Sequence, residues 1–217
     1  TVASLEAERD AAAAAYQEHA AALSKARGKS ARRMGKAITE LMHTLGMPNG
    51  TFEVAVSAEE RERPSAGGAD NIEFLVSANP GQPPRPLARI ASGGELSRIS
   101  LAIQVATAGH TGVPVLVYDE VDAGIGGGVA EIVGQRLAEL ATTRQLLCIT
   151  HLPQIACFGT THFVVGKRQQ SGSTSTWIET LDGDERTIEI ARMLGGLDIT
   201  DTTIDHAREM LEKSCRS

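Results

Sequence analysis

Apolar residues in the first 46 positions fall at Val2, Leu5, Ala12, Tyr16, Leu23 and Ala26, then at Met34, Ile38, Leu41 and Leu45 in steps of three and four. That spacing is helical. The stretch has no proline, few glycines and many Ala, Glu, Lys and Arg residues, so one long helix of roughly 70 Å is predicted. Its apolar stripe is narrow, as in a coiled coil, and slips phase near the middle. Such a helix is expected to lie against something outside this chain or against a second copy. Met47-Pro48-Asn49-Gly50 ends it, and Phe52, Val54 and Val56 then alternate with polar residues as a half-buried strand does. A second strand is predicted over 72–77. Between the two, EERERPSAGGAD lacks an apolar anchor and reads as a mobile loop, while Pro80, Pro83, Pro84 and Pro86 make an extended connector. Beyond it helix and strand alternate: helix 94–108, strand 115–118, helix 129–141, strands 146–150, 162–166 and 175–181, and helices 186–194 and 202–213. The predicted class is α/β, with short, apolar, β-branched central strands of the kind found in a buried sheet.

Composition narrows the possibilities. With 217 residues, 41% of them apolar, the chain has enough to build a sizeable core. Its longest apolar runs are far below the roughly 20 residues of a membrane-spanning helix, so no membrane partner is expected. The opening TVASLEAERD has neither a basic start nor an initiator Met, which predicts no secretory signal and a piece of something longer. Cys148, Cys157 and Cys215 have no metal-binding spacing, and their odd number speaks for a reducing cytoplasm. The net charge is −6, yet His19 to Thr39 has no acidic residue and six cations, Lys25, Arg27, Lys29, Arg32, Arg33 and Lys36. The rest of the chain holds fifteen basic against twenty-seven acidic residues. Segregation of this kind marks either a solvated helix face or a DNA-binding stripe.

Three clusters at element boundaries carry candidate chemistry. Ser92-Gly93-Gly94-Glu95 fits a capping box, and its paired glycines also let a ligand approach the unpaired amides of a helix start, a natural anion site. Asp119 and Glu120 follow the apolar strand Val115–Tyr118, and alternation sends them to opposite sides of its end. One can serve a Mg²⁺ ion while the next orients an attacking water; acids after a strand are also ordinary turn residues. His151 ends the second apolar strand and faces the same crevice if the two strands are neighbours. The glycines at 124–128 form no GxGxxG, because Val129 takes the last position.

The order of these clusters resembles the C-terminal lobe of an ABC-type ATPase head, and the long helix points to the SMC-like branch, in which a coiled coil separates two halves of one head. The wording of 120–125, 150–156 and 191–196 is similar to the DNA-repair members of that branch. The resemblance implies a coiled-coil arm over 1–46 and a head lobe over 47–217. It assigns Ser92, Gly93, Gly94 and Glu95 to the signature motif, which contacts ATP held by an opposing head. Asp119 becomes the Walker B aspartate supporting Mg²⁺, Glu120 the carboxylate acting on the attacking water, and His151 the switch histidine. Asp122 falls in the loop along the head-to-head interface. A phosphate-cradling GxxxxGK[ST] is missing, since Gly28-Lys29-Ser30 has Leu23 where the first glycine belongs. The implied partners are an N-terminal lobe carrying Walker A, a second head in a homodimer, and DNA. The implied activity is Mg-dependent ATP hydrolysis in double-strand-break repair, with this chain inactive by itself. The alternatives are a non-hydrolysing DNA-binding scaffold or another SMC-like ATPase.

Overall fold

The computed structural model describes residues 1–59, 63–77, 83–90, 92–107, 113–170, 173–196 and 198–215. Residues 60–62 of the predicted mobile loop, part of the proline connector and the end of the helix predicted to 108 lie outside the described residues. The chain divides into two compact units, Thr1–Ala91 and Ser92–Ser217.

In the first unit, α1 runs Val2–Thr44 and is capped by the Thr1 hydroxyl, which accepts from the Ser4 N–H at 3.4 Å. Strands β1 (Thr51–Ala58) and β2 (Asp70–Ser77) form an antiparallel hairpin in register Thr51↔Ser77 to Ala58↔Asp70, and β3 (Arg85–Pro86) pairs with Leu75 and Val76 ahead of a 3-10 turn at Leu87–Arg89. The second half of α1 packs on β1 and buries Ala31, Gly35, Ile38 and Met42. Gly35 permits the close approach: a Cβ there would meet the Phe52 carbonyl oxygen at 3.0 Å. Thr39 ties the two together, its hydroxyl accepting from the Phe52 N–H at 2.9 Å. This half of the helix thus finds its partner within the chain, whereas Val2 and Leu5 stay exposed at 73% and 66%.

The segment before β2 corrects one expectation. Residues 63–70 are anchored to α1: the Ser65 N–H donates to the Tyr16 hydroxyl at 3.3 Å, and Asp70 accepts from Ser24 at 2.5 Å and from Arg27 at 2.9 Å. The bonds from Ser24 and Arg27 hold the Asp70 carboxyl below its ordinary value. The anchors are polar, so a hydrophobic pattern could not disclose them.

The second unit contains α2 (Gly93–Ala106), β4 (Val115–Tyr118), α3 (Gly127–Ala141), β5 (Gln145–Cys148), α4 (Pro153–Ala156), β6 (His162–Gln170), β7 (Ser173–Leu181), α5 (Gly183–Gly195) and α6 (Asp201–Ser214). β4 and β5 are parallel neighbours, Val115↔Gln145 to Tyr118↔Cys148, joined through α3 as a βαβ unit; β6 and β7 make an antiparallel hairpin. Ile99, Leu101 and Ala102 of α2, Val121, and Ala130, Val133, Leu137 and Leu140 of α3 are buried. A second cluster gathers Cys157, Ile190, Ala191 and Ala207, with Phe158, Leu194 and Leu211 against it. The strands are not buried on both faces as expected. Val117, Ile149 and Ile178 are 65%, 60% and 68% exposed, because side chains alternate and one face of each ladder has no covering layer among the described residues. Among the described residues no helix is long and apolar enough to cross a membrane.

Candidate functional site

The parallel pairing of β4 and β5 delivers their C-terminal ends side by side, as open α/β sheets do at ligand sites. Past Tyr118 the chain turns sharply at Glu120, the only non-glycine residue among the described ones with positive φ, at 58°. A left-handed backbone costs such a residue about 1–2 kcal/mol, so the surroundings must impose it. The Ala123 N–H closes the turn on the Glu120 carbonyl at 3.1 Å. From α2, the Ser97 hydroxyl donates to the Asp119 carbonyl and the Arg98 Nη1 to the Ala123 carbonyl, each at 2.7 Å.

Asp122 sits beneath this turn with only 3% of its surface exposed. Its Oδ2 accepts from the Thr150 hydroxyl at 2.6 Å and from the His151 N–H at 2.9 Å, and lies 3.0 Å from His151 Nδ1. Thr150 in turn accepts from the Leu152 N–H at 3.0 Å. Facing a carboxylate, Nδ1 is the nitrogen that carries the proton, which leaves Nε2 of the largely exposed ring for an outside partner. The Cys148 thiol lies near the same acids; burial, then the negative charges of Asp122 and Asp119, push it up to about 12, so it stays a neutral thiol.

The start of α2 abuts the acid turn. The Ser92 hydroxyl accepts from the Glu95 N–H at 3.3 Å, forming the predicted cap while keeping its own proton free to donate. A Cβ on Gly93 would fall on the Glu120 Oε2. One on Gly94 would meet the Ala123 Cβ at 2.7 Å and the Ala123 and Glu120 carbonyl oxygens at 3.2 Å. Gly94 is therefore required by packing on the turn, whatever ligand it meets, whereas Gly93 faces only the flexible end of Glu120. The first-turn amides of α2 lack intrahelical acceptors, and the aligned peptide dipoles favour negative charge there.

No group of three or more His, Cys, Asp or Glu side chains among the described residues could hold a metal by itself. Asp119 and Glu120 are exposed carboxylates at a strand end, the donor type Mg²⁺ uses when waters and phosphate oxygens complete its shell. The structure thus joins Gly93 to Glu120, Gly94 to Ala123 and Asp122 to His151. Asp122 points inward onto Thr150 and His151. Sequence reasoning missed Ser97 and Arg98. The signal for Arg98 was its place on the buried stripe Gly94, Arg98, Leu101, Ala102, where a charge interrupts the apolar phase.

In the first unit, Lys25, Lys29, Arg32 and Lys36 are exposed and follow one another at steps of four, three and four, so they share one face of α1, with Arg33 beside them. Arg27 points away from that face and is paired with Asp70.

No protein-family model matches the chain. It is 48% identical over 198 residues to the DNA repair protein RecN of Xylella fastidiosa strain 9a5c, covering 91% of this chain and 36% of that protein. RecN of Vibrio cholerae is 45% identical, covering 90% and 36%, and RecN of Streptomyces coelicolor 41% identical, covering 95% and 38%. The chain therefore spans little more than a third of the curated relatives it matches. Among solved structures, the Smc head domain with an extended coiled coil from Pyrococcus furiosus, bound to the C-terminal domain of ScpA, superposes with a TM-score of 0.52 at 18% identity, covering 88% of this chain and 44% of that one. Over nine-tenths of its length, then, the chain is homologous to a segment of the RecN DNA repair proteins, and its mixed α/β architecture with a long N-terminal helix is the fold of an SMC head domain.

Proposed function

We propose that this chain is the part of an SMC-like, DNA-repair ATPase that supplies the signature helix, the Walker B acids and the switch histidine, completed by an N-terminal lobe carrying the phosphate loop and by a second head. The observation that carries the reading is the meeting of Asp119, Glu120 and the Asp122–Thr150–His151 network at the ends of paired parallel strands. Mg²⁺ supplies charge neutralisation on the phosphates when bound, and Asp119 supports it. Glu120 orients and deprotonates the attacking water, and His151, its Nδ1 held by Asp122, turns Nε2 toward the γ-phosphate, to which it donates when the ring carries both protons. Phosphoryl transfer needs in-line placement and charge stabilisation, and this set provides both. Ser92 and the amides behind Gly93 and Gly94 meet the nucleotide of the opposing head, with Glu95 completing the motif. The open faces bearing Val117, Ile149 and Ile178 support the reading that the missing lobe packs there. The cationic stripe Lys25, Lys29, Arg32 and Lys36 is the DNA contact.

In the complete protein, Glu120→Gln keeps the shape of the side chain and removes the base. ATP binding and ATP-dependent pairing of heads are expected to persist while the turnover rate falls by about 10²- to 10⁴-fold. Hydrolysis at the unmodified rate would remove Glu120 from the chemistry.

A further inference from the structure

Residue 120 carries the one left-handed non-glycine backbone among the described residues, and both ends of its turn are held by the same helix. Ser97 bonds the carbonyl just before Glu120 and Arg98 bonds the carbonyl three residues after it, each at 2.7 Å. Arg98 is only 6% exposed, its Nε is buried without a hydrogen-bond partner, and Glu95 is the acidic neighbour that offsets its charge. Burying a guanidinium to hold a backbone carbonyl costs far more than an apolar side chain would at this position, so the bond must serve the geometry of the turn. Gly94, buried between the two, brings α2 close enough for both bonds.

We infer that Ser97 and Arg98 are positioning residues that hold Glu120 in its left-handed conformation, so that the helix whose tip meets the opposing head's nucleotide sets the water-orienting carboxylate of its own head. The inference rests on the proposed role of Glu120. Without the two bonds the turn relaxes toward a right-handed backbone and the carboxylate swings from its place; a displacement of about 1 Å is enough to lose roughly a hundredfold in rate.

The test is steady-state ATP hydrolysis by the complete protein with Mg²⁺, in Ser97→Ala, Arg98→Met and Arg98→Lys variants, each alone and combined with Glu120→Gln. Expected are kcat values lower by about ten- to a hundredfold for Ser97→Ala and Arg98→Met with KM for ATP within about threefold, and partial recovery in Arg98→Lys. In the Glu120→Gln background neither substitution should lower the residual rate further, because residues acting through one group are not additive. Ser97→Ala removes a single hydroxyl beside solvent and keeps the question open to refutation if the buried Arg98→Met variant does not fold. Wild-type kcat in Ser97→Ala and in every folded Arg98 variant, alongside a dead Glu120→Gln, overturns the positioning role alone. An equal further loss in the Glu120→Gln background also overturns it. Full turnover by Glu120→Gln overturns the catalytic reading on which it stands.

Discussion

Replacing Gly94 by alanine tests whether this glycine at the head of α2 is a packing requirement. The added methyl would lie 2.7 Å from the Ala123 Cβ, about 1 Å inside a comfortable carbon–carbon contact, and 3.2 Å from two backbone carbonyl oxygens. None of these atoms is the end of a flexible chain, so relief requires the 119–123 turn to move as a body. Overpacking of this kind costs about 1–3 kcal/mol, against a gain of up to about 1 kcal/mol from exchanging glycine for alanine in a helix. The expected net effect is a loss of about 0.5–2 kcal/mol in the second unit. Gly28→Ala in α1 is the matched control: nothing lies within 4 Å of its Cβ position, and the same exchange should stabilise by about 0.5–1 kcal/mol. Trp177 is the sole tryptophan and packs over Gly166 in the second unit, so its fluorescence in a urea titration follows that unit, while far-ultraviolet circular dichroism follows α1 as well. Each unit has its own transition to be fitted. A Trp177 midpoint that is unchanged or raised by Gly94→Ala would refute the packing account.

The cationic stripe makes a salt-dependent prediction: Gln at Lys25, Lys29, Arg32 and Lys36 together should flatten the slope of log K against log salt for DNA binding by about 3–4, whereas Arg27→Gln, already paired with Asp70, should leave it unchanged. An unaltered slope in the fourfold variant removes the stripe as the DNA contact. His162 gives a pH signature. Burial, and next the charge of Arg186, lower its folded pKa from 6.5, with Glu189 opposing. The unfolded chain thus binds the proton more readily, and the second unit should be at full stability above pH 6.5 and lose stability as pH falls below it. His162→Gln should flatten that fall in the Trp177 midpoint between pH 7.5 and 5.5; an identical fall in both proteins would assign it to another group.

Period and punctuation made most of the elements legible. The alternation in Phe52, Val54 and Val56, the Met47–Gly50 stop and the apolar runs at 115–118 and 146–148 lie where the strands and turns form. Each of these signals is local, and a local signal survives whatever the rest of the chain does. What escaped depended on partners distant in sequence. Asp70 looked like the polar end of a loop because its donors, Ser24 and Arg27, are more than forty residues away. The donors to Asp122, Thr150 and His151, sit on the next strand end, and a carboxylate in a glycine-rich loop gives no sign of which way it points. The same blindness explains the sheet. Val115, Val117, Leu147 and Ile149 have the composition of strands buried on both sides, and composition records the environment for which a sequence is suited, not the layers present in one stretch of it. The exposed β4–β5 face and the proposed catalytic edge, an acid turn braced from its own helix, end at the same strand tips. A segment that covers the first therefore lands next to the second, which is where the phosphate loop has to be if Asp119 and Glu120 are to act on its nucleotide.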